Sequence, residues 1–170
     1  YEALRRHFDS RATRAYAARR DALKSLGKAL REHEADVLEA MHADMRKPTF
    51  EAYMSELGLV HAEIHNTLKH LKVWMRPERV STPLALQVAE SFIHRAPLGI
   101  VLSIGPWNYP AQLILAPLIG AIAAGNCALV KPSNEAPRTA AVIERILTKV
   151  FDPGHVSVVQ GPGSAVGPQL

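Results

Sequence analysis

Apolar residues recur at three- and four-residue steps through the first part of the chain: Leu4 and Phe8, then Leu23, Leu26 and Leu30, then Leu38, Met41 and Met45. That spacing gathers them on one helical face and predicts helix over residues 1–46, with a break at Lys47-Pro48. The period resumes near Phe50. Met54, Leu57, Ile64, Leu68, Leu71 and Met75 share one face of a second helix, which Pro77 ends. Between 79 and 97 the period shortens toward two through Val80, Leu84, Leu86, Val88, Phe92 and Ile93, which predicts a hairpin. A short, mainly apolar run from Ile100 to Ile104 reads as a buried strand bounded by glycine and proline. Ala111–Ala124 reads as an apolar helix that Gly125-Asn126 stops, and Cys127–Val130 as a second buried strand ending at Lys131. A helix over 135–150, with Asn134 as candidate N-cap, leads to a third strand near 156–160. The pattern over 98–170 is therefore βαβαβ, an α/β parallel sheet with polar groups only where strands end. Open sheets of this kind bind ligands at that edge.

The 170 residues are 48% hydrophobic, enough for the core of one ordinary domain. The net charge of +4 comes with acids interleaved throughout, a solvated helix face and not a nucleic-acid patch. A single cysteine forbids an intrachain disulfide and fits a reducing, cytoplasmic setting. There is no apolar signal core at the N-terminus, and Glu2, Asp9 and Asp21 argue against a transit peptide. Ala96–Val130 carries no formal charge, but Pro97, Pro106, Pro110 and Pro117 break it. Two buried strands around a buried helix explain its apolarity better than a membrane span.

Candidate chemistry sits at the predicted strand ends. In Gly105-Pro106-Trp107-Asn108-Tyr109-Pro110, two prolines stiffen a turn that holds one carboxamide, Asn108. An amide N–H aimed at a carbonyl oxygen stabilises the oxyanion formed on nucleophilic addition; an isolated Asn there is more often a turn-former. Lys131, followed by Pro132-Ser133-Asn134, is in isolation a strand-end charge. Gly161-Pro162-Gly163-Ser164-Ala165-Val166-Gly167 approximates a Gly-rich dinucleotide loop with one extra spacer, but Pro162 removes a donor where a phosphate needs one. Gly161 is read as packing and the rest as a turn. His61 and His65 stand one helical turn apart, a zinc-ligand spacing with no third ligand, so no metal is assigned. Cys127 opens a buried strand with no base nearby in sequence and reads as a small apolar residue, not a nucleophile.

The motifs IGPWNYP, GAIAAGN and LVKPS, in this order, resemble the NAD(P)-dependent aldehyde dehydrogenase superfamily. KPTFEAYMSELG, WMRPERVSTPLALQ and HRAPLGIVL resemble its class 3 branch, so the likeness covers essentially the whole chain. The resemblance implies a Rossmann-like cofactor domain, incomplete here. Residues 1–78 would be its helical part, 79–97 a hairpin of the oligomerisation domain, and 98–170 the first βαβαβ portion. It implies that Asn108 holds the aldehyde oxygen and that Lys131 binds the adenosine ribose of NAD or NADP. Ile104, Pro106 and Trp107 would line the cofactor cleft with Ser133, Asn134 and Gly161, the last on the adenine side. Tyr109 and Tyr53 would line the substrate channel.

One departure stands out: the family commonly has Glu where this chain has Asn134. An amide repels a 2′-phosphate less than a carboxylate does, so weaker discrimination between NAD and NADP is expected, unless Glu135 takes over the role. The family's nucleophilic cysteine, its glutamate base and the diphosphate contacts lie in later motifs. The chain starts at Tyr1 and stops in GPGSAVGPQL, so the expectation is a segment of a longer enzyme, inactive alone. That enzyme would be a homodimer oxidising medium- to long-chain aliphatic or aromatic aldehydes through a cysteine thiohemiacetal. The competing readings are a non-catalytic nucleotide-binding or scaffold module and a membrane-associated protein.

Overall fold

The computed structural model describes residues 1–169. Its first 46 residues form three helices in place of the one expected: α1 (Glu2–Asp9), α2 (Tyr16–Glu32) and α3 (Glu34–Met45). The first break comes where the Ser10 hydroxyl donates to the His7 carbonyl (2.6 Å) and Arg11 takes the left-handed conformation (φ 63°). The second lies at His33, whose ring faces Asp36 at 2.9 Å. Periodicity survives both breaks, because each helix buries its apolar face, α2 and α3 around a common core of Leu23, Leu26, Leu30, Val37 and Met41.

The second helical stretch runs from α4 (Thr49–Ala52) through a π-turn at Tyr53–Leu57 into α5 (Gly58–Trp74). A π-turn inserts one residue, which rotates the preceding face by about 100°. Leu57, Val60, Ile64 and Leu71 are consequently buried, whereas Met54, expected on the same face, is exposed. Next come β1 (Glu78–Val80) and β2 (Ser91–Ile93), paired antiparallel with Arg79 opposite Phe92: a hairpin as expected, but with strands of three residues, because Leu84–Leu86 forms a 3-10 turn where alternation predicted strand.

The second sheet is parallel, in the order β3-β4-β5, from β3 (Ile100–Ile104), β4 (Cys127–Lys131) and β5 (Val156–Val158). β5 is two residues shorter than expected. The crossovers are α6 (Gln112–Ala124) and α7 (Pro137–Val150). Ala128, Val130 and Val101 turn toward these helices and join the core, which also contains Ile114, Leu115, Leu118, Ile143 and Leu147. Full burial of each large side chain among them is worth about 1.5–3 kcal/mol. Alternate residues Ile100, Leu102 and Leu129 face α1, where they line a cavity of about 360 Å³ with Tyr1, Arg5 and Phe8. Gly125 ends α6 in the left-handed region (φ 85°), as its sequence position predicts. Arg19 and Thr13 secure that end: Arg19 donates to the Ala123 carbonyl and Thr13 to the Gly125 carbonyl.

Asn134 is not the N-cap of α7. The helix starts two residues later, with Ala136 as its cap residue, and the orphan amides of Arg138 and Thr139 donate to Asp44 of α3 at 3.2 and 2.8 Å. A short tail follows β5: α8 (Gly163–Val166), a single helical turn in place of the expected irregular turn, and a 3-10 turn at Gly167–Gln169. Among the described residues no helix is long and apolar enough to cross a membrane.

Candidate functional site

Parallel pairing sets Ile104 directly beside Lys131 at the carboxyl ends of β3 and β4. The Gly105 N–H then donates to the Lys131 carbonyl at 2.9 Å, which locks the root of the 105–110 turn to the end of β4. The Val159 N–H donates to the Val130 carbonyl at 2.9 Å and sets Gly161 just beyond β5 on the same edge. The Asn108 turn, the Lys131–Asn134 segment and Gly161 thus line up side by side. The outer two lie two strands apart, about 10 Å.

Pro106, Trp107, Asn108 and Tyr109 are exposed on this edge, and so is Ile104. The tethered part of Asn108 is its backbone: the Lys47 ammonium donates to its carbonyl at 3.4 Å. Lys47 also lies 4.0 Å from the Tyr109 ring centroid and 2.6 Å from Glu56 Oε1. The other Glu56 oxygen accepts from the Ala111 and Gln112 amides at 2.8 and 3.1 Å, where α6 begins. Tyr53 heads the π-turn that carries Glu56.

Lys131 is 5% exposed, and its ammonium makes one long hydrogen bond, 3.4 Å, to the Pro132 carbonyl. Its remaining donors fit a hydroxyl-bearing ligand at the strand end. The buried Ser133 hydroxyl accepts from the Glu135 amide at 3.2 Å, and the exposed Asn134 amide donates to the Glu135 carboxylate at 2.6 Å. The two residues that could share a role toward a ribose are therefore already paired with each other.

Cys127 lies at the opposite, amino end of β4, beside Ile100, and is fully buried. Burial pushes its thiol up to about 11, away from nucleophilic use. His61 sits on α5 with its ring 3.4 Å from Glu34 of α3. A larger cavity, about 790 Å³, lies away from the strand ends, between the C-terminal parts of α5 and α6 and the hairpin; Trp74, Met75, Glu78, Arg95 and Gly120 help line it. None of the site residues singled out in the sequence lines that cavity.

Lys47 and Glu56 do not stand out in the sequence. Lys47 reads there only as part of a helix break, and Glu56 falls between the apolar positions Met54 and Leu57. The one available signal is a charged residue whose neighbours keep helical apolar spacing.

The family model described as "Aldehyde dehydrogenase family" matches residues 1–170. A Staphylococcus aureus 4,4'-diaponeurosporen-aldehyde dehydrogenase is 43% identical over 154 residues, covering 91% of this chain and 34% of that protein. Bos taurus aldehyde dehydrogenase family 3 member B1 is 42% identical over 166 residues, covering 98% of this chain and 34% of that protein. Among solved structures, the substrate-bound state of Staphylococcus aureus AldH superposes with a TM-score of 0.96 at 39% identity, over 99% of this chain and 37% of that one. A betaine aldehyde dehydrogenase variant from Staphylococcus aureus, in complex with NAD+, superposes with a TM-score of 0.82 at 27% identity, over 97% and 33%. The chain spans about a third of the length of the curated relatives it matches.

Proposed function

The chain belongs to the aldehyde dehydrogenase family, and on that premise we propose that it forms the N-terminal, cofactor-binding part of a longer enzyme that oxidises aldehydes to carboxylic acids with NAD or NADP. The observation that carries this reading is the strand-end geometry. The Gly105–Lys131 hydrogen bond at 2.9 Å couples an exposed turn bearing a carboxamide to a buried ammonium with donors to spare.

In this reading Lys131 donates to a ribose hydroxyl of the dinucleotide, Ser133 and Asn134 flank it, and Gly161 packs on the adenine side. Ile104, Pro106 and Trp107 offer the apolar wall of the cleft. The dinucleotide, when bound, supplies the hydride acceptor. Asn108 donates its side-chain N–H to the aldehyde oxygen and stabilises the oxyanion that forms when a cysteine thiolate adds to the carbonyl. Tyr109 and Tyr53 border the approach of the substrate. The thiolate and the general base come from outside these 170 residues; Cys127 is buried, protonated and on the wrong edge of the sheet. The chain alone therefore binds but does not turn over. We place the complete enzyme in the cytoplasm on the single cysteine of this chain, and as a homodimer on the resemblance. Asn134 in place of a carboxylate suggests acceptance of both dinucleotides; a strict NAD preference in paired titrations would count against that.

The test is Asn108→Ala in the complete enzyme. The expected result is a fall in kcat of about 10²–10³, with cofactor affinity nearly unchanged. A variant that keeps wild-type kcat would refute the assignment, and NADH production by the isolated 170-residue chain would refute its inactivity.

A further inference from the structure

Building on the reading of Asn108 as oxyanion donor, we propose that Lys47 and Glu56 are positioning residues for it: a buried ion pair that fixes the turn on which Asn108 stands. Both side chains are withdrawn from water, Lys47 at 6% and Glu56 at 0% exposure, and they meet at 2.6 Å. A buried pair of this kind seldom adds stability over well-packed apolar residues, so stability does not explain its presence. Its remaining contacts do. Lys47 makes a long hydrogen bond, 3.4 Å, to the Asn108 carbonyl and lies over the face of Tyr109; Glu56 reaches the amides of Ala111 and Gln112. The pair grips the chain at Asn108 and just beyond it, from positions more than fifty residues away in sequence.

The grip is directional. Glu56 sits at the start of α6, where a carboxylate is favoured by the helix dipole and satisfies amides that have no partner within the helix. The ammonium lies within cation–π range of Tyr109 and leaves that ring one favoured place. The π-turn at Tyr53–Leu57 is what brings Glu56 inward. An uninterrupted α-helix would carry this residue elsewhere around the axis, and π-turns interrupt helices frequently at functional sites. An oxyanion donor acts only if its N–H is already in place when charge develops, and a displacement of about 1 Å costs about 10²-fold in rate.

The experiment is a double-mutant cycle in the complete enzyme. Lys47→Met and Glu56→Gln are made singly and on the Asn108→Ala background, with Lys47→Arg as the conservative variant. Single-turnover NADH formation, aldehyde KM and cofactor affinity are measured for each. Lys47→Met is expected to slow the single turnover about 10- to 100-fold with Asn108 present, but less than about 3-fold on the Asn108→Ala background, while cofactor affinity holds. Lys47→Arg should recover most of the rate. Should Lys47→Met fail to fold, the same cycle is read on Glu56→Gln, which keeps size and one acceptor oxygen. Equal fold-losses on both backgrounds would overturn the proposal alone, because the pair would then be acting independently of Asn108. An unimpaired Asn108→Ala enzyme would overturn the oxyanion reading beneath it.

Discussion

Cys127 offers a sharp check on the claim that the nucleophile lies outside this chain, because it is the sole thiol in the sequence. It stands at the first position of β4, opposite Ile100, with no exposed surface. Desolvation raises its pKa from 9.0 to about 11. At pH 8 an ordinary thiol with the lower value is about 10% thiolate, and one with the higher about 0.1%, a ratio of about 100. Only the thiolate attacks a disulfide reagent, and the more basic thiolate recovers part of that ratio by being the stronger nucleophile, so ionisation alone should slow the native chain about 10-fold relative to the unfolded one. Burial adds to this, since reagent must wait for the strand to open. The assay is labelling of the 170-residue chain with an aromatic disulfide at about pH 8, with and without denaturant, the native fold checked by circular dichroism. Native labelling as fast as that of the unfolded chain would show an accessible, ionisable thiol and would reopen Cys127 as a nucleophile.

Two further outcomes follow from the packing. His155, half-buried against the stacked ring of His7 and the edge of Phe151, has its pKa lowered to about 4, chiefly by burial and then by His7, with Asp152 opposing. The unfolded state binds this proton more readily, so stability is at its full value above pH 6.5 and falls on acidification toward pH 4. The loss is at most about 3 kcal/mol, and urea midpoints of the wild type and His155→Gln should diverge across that window; parallel curves would remove His155 as the cause. At Gly105, a Cβ would come within 2.8 Å of Ile114 Cδ1. Gly105→Ala should therefore cost about 1–3 kcal/mol in chemical denaturation, and Ile114→Val should recover part of it; no recovery would place the strain elsewhere.

The parallel sheet was legible because its strands are short apolar runs between glycines and prolines, and β4 is closed off on both faces, as its composition requires. The α6 stop at Gly125 was legible for a local reason, a residue free to take positive φ. The breaks that split the first 46 residues into three helices are local, at Ser10-Arg11 and His33, but at Asn134 and Met54 the deciding partner was distant in sequence. Asn134 has the right chemistry to cap α7, but the amides there are taken by Asp44, which lies 94 residues before Arg138. Met54 has the right spacing for the core, but the π-turn shifts its register, and that turn is held together with the burial of Glu56 against α6. Strand-end residues such as Asn108 and Lys131 stood out because they are lone polar groups in apolar surroundings. Lys47 and Glu56 did not, because the groups they hold at Asn108 and Ala111 lie more than fifty residues along the chain.

β3 combines two properties that ordinarily exclude each other. Its sequence is that of a strand buried on both faces, yet it is an edge, with Leu102 42% and Ile104 60% exposed and Trp107 59% exposed just beyond it. Apolar side chains in a parallel sheet are retained where something covers them. A dinucleotide lying across the carboxyl edge would cover Ile104 and Trp107, which flank the Lys131 end of β4. It would not reach Leu102, which faces the α1 side farther back along the strand. In the proposed longer enzyme, further chain would cover that surface. On the proposed function the exposed residues would separate into a ligand-covered set at the strand ends and a chain-covered set behind them. Cofactor binding by the complete enzyme should protect the amides of the 105–110 turn from hydrogen exchange and leave those of β3 unchanged; protection of β3 by cofactor alone would contradict the division.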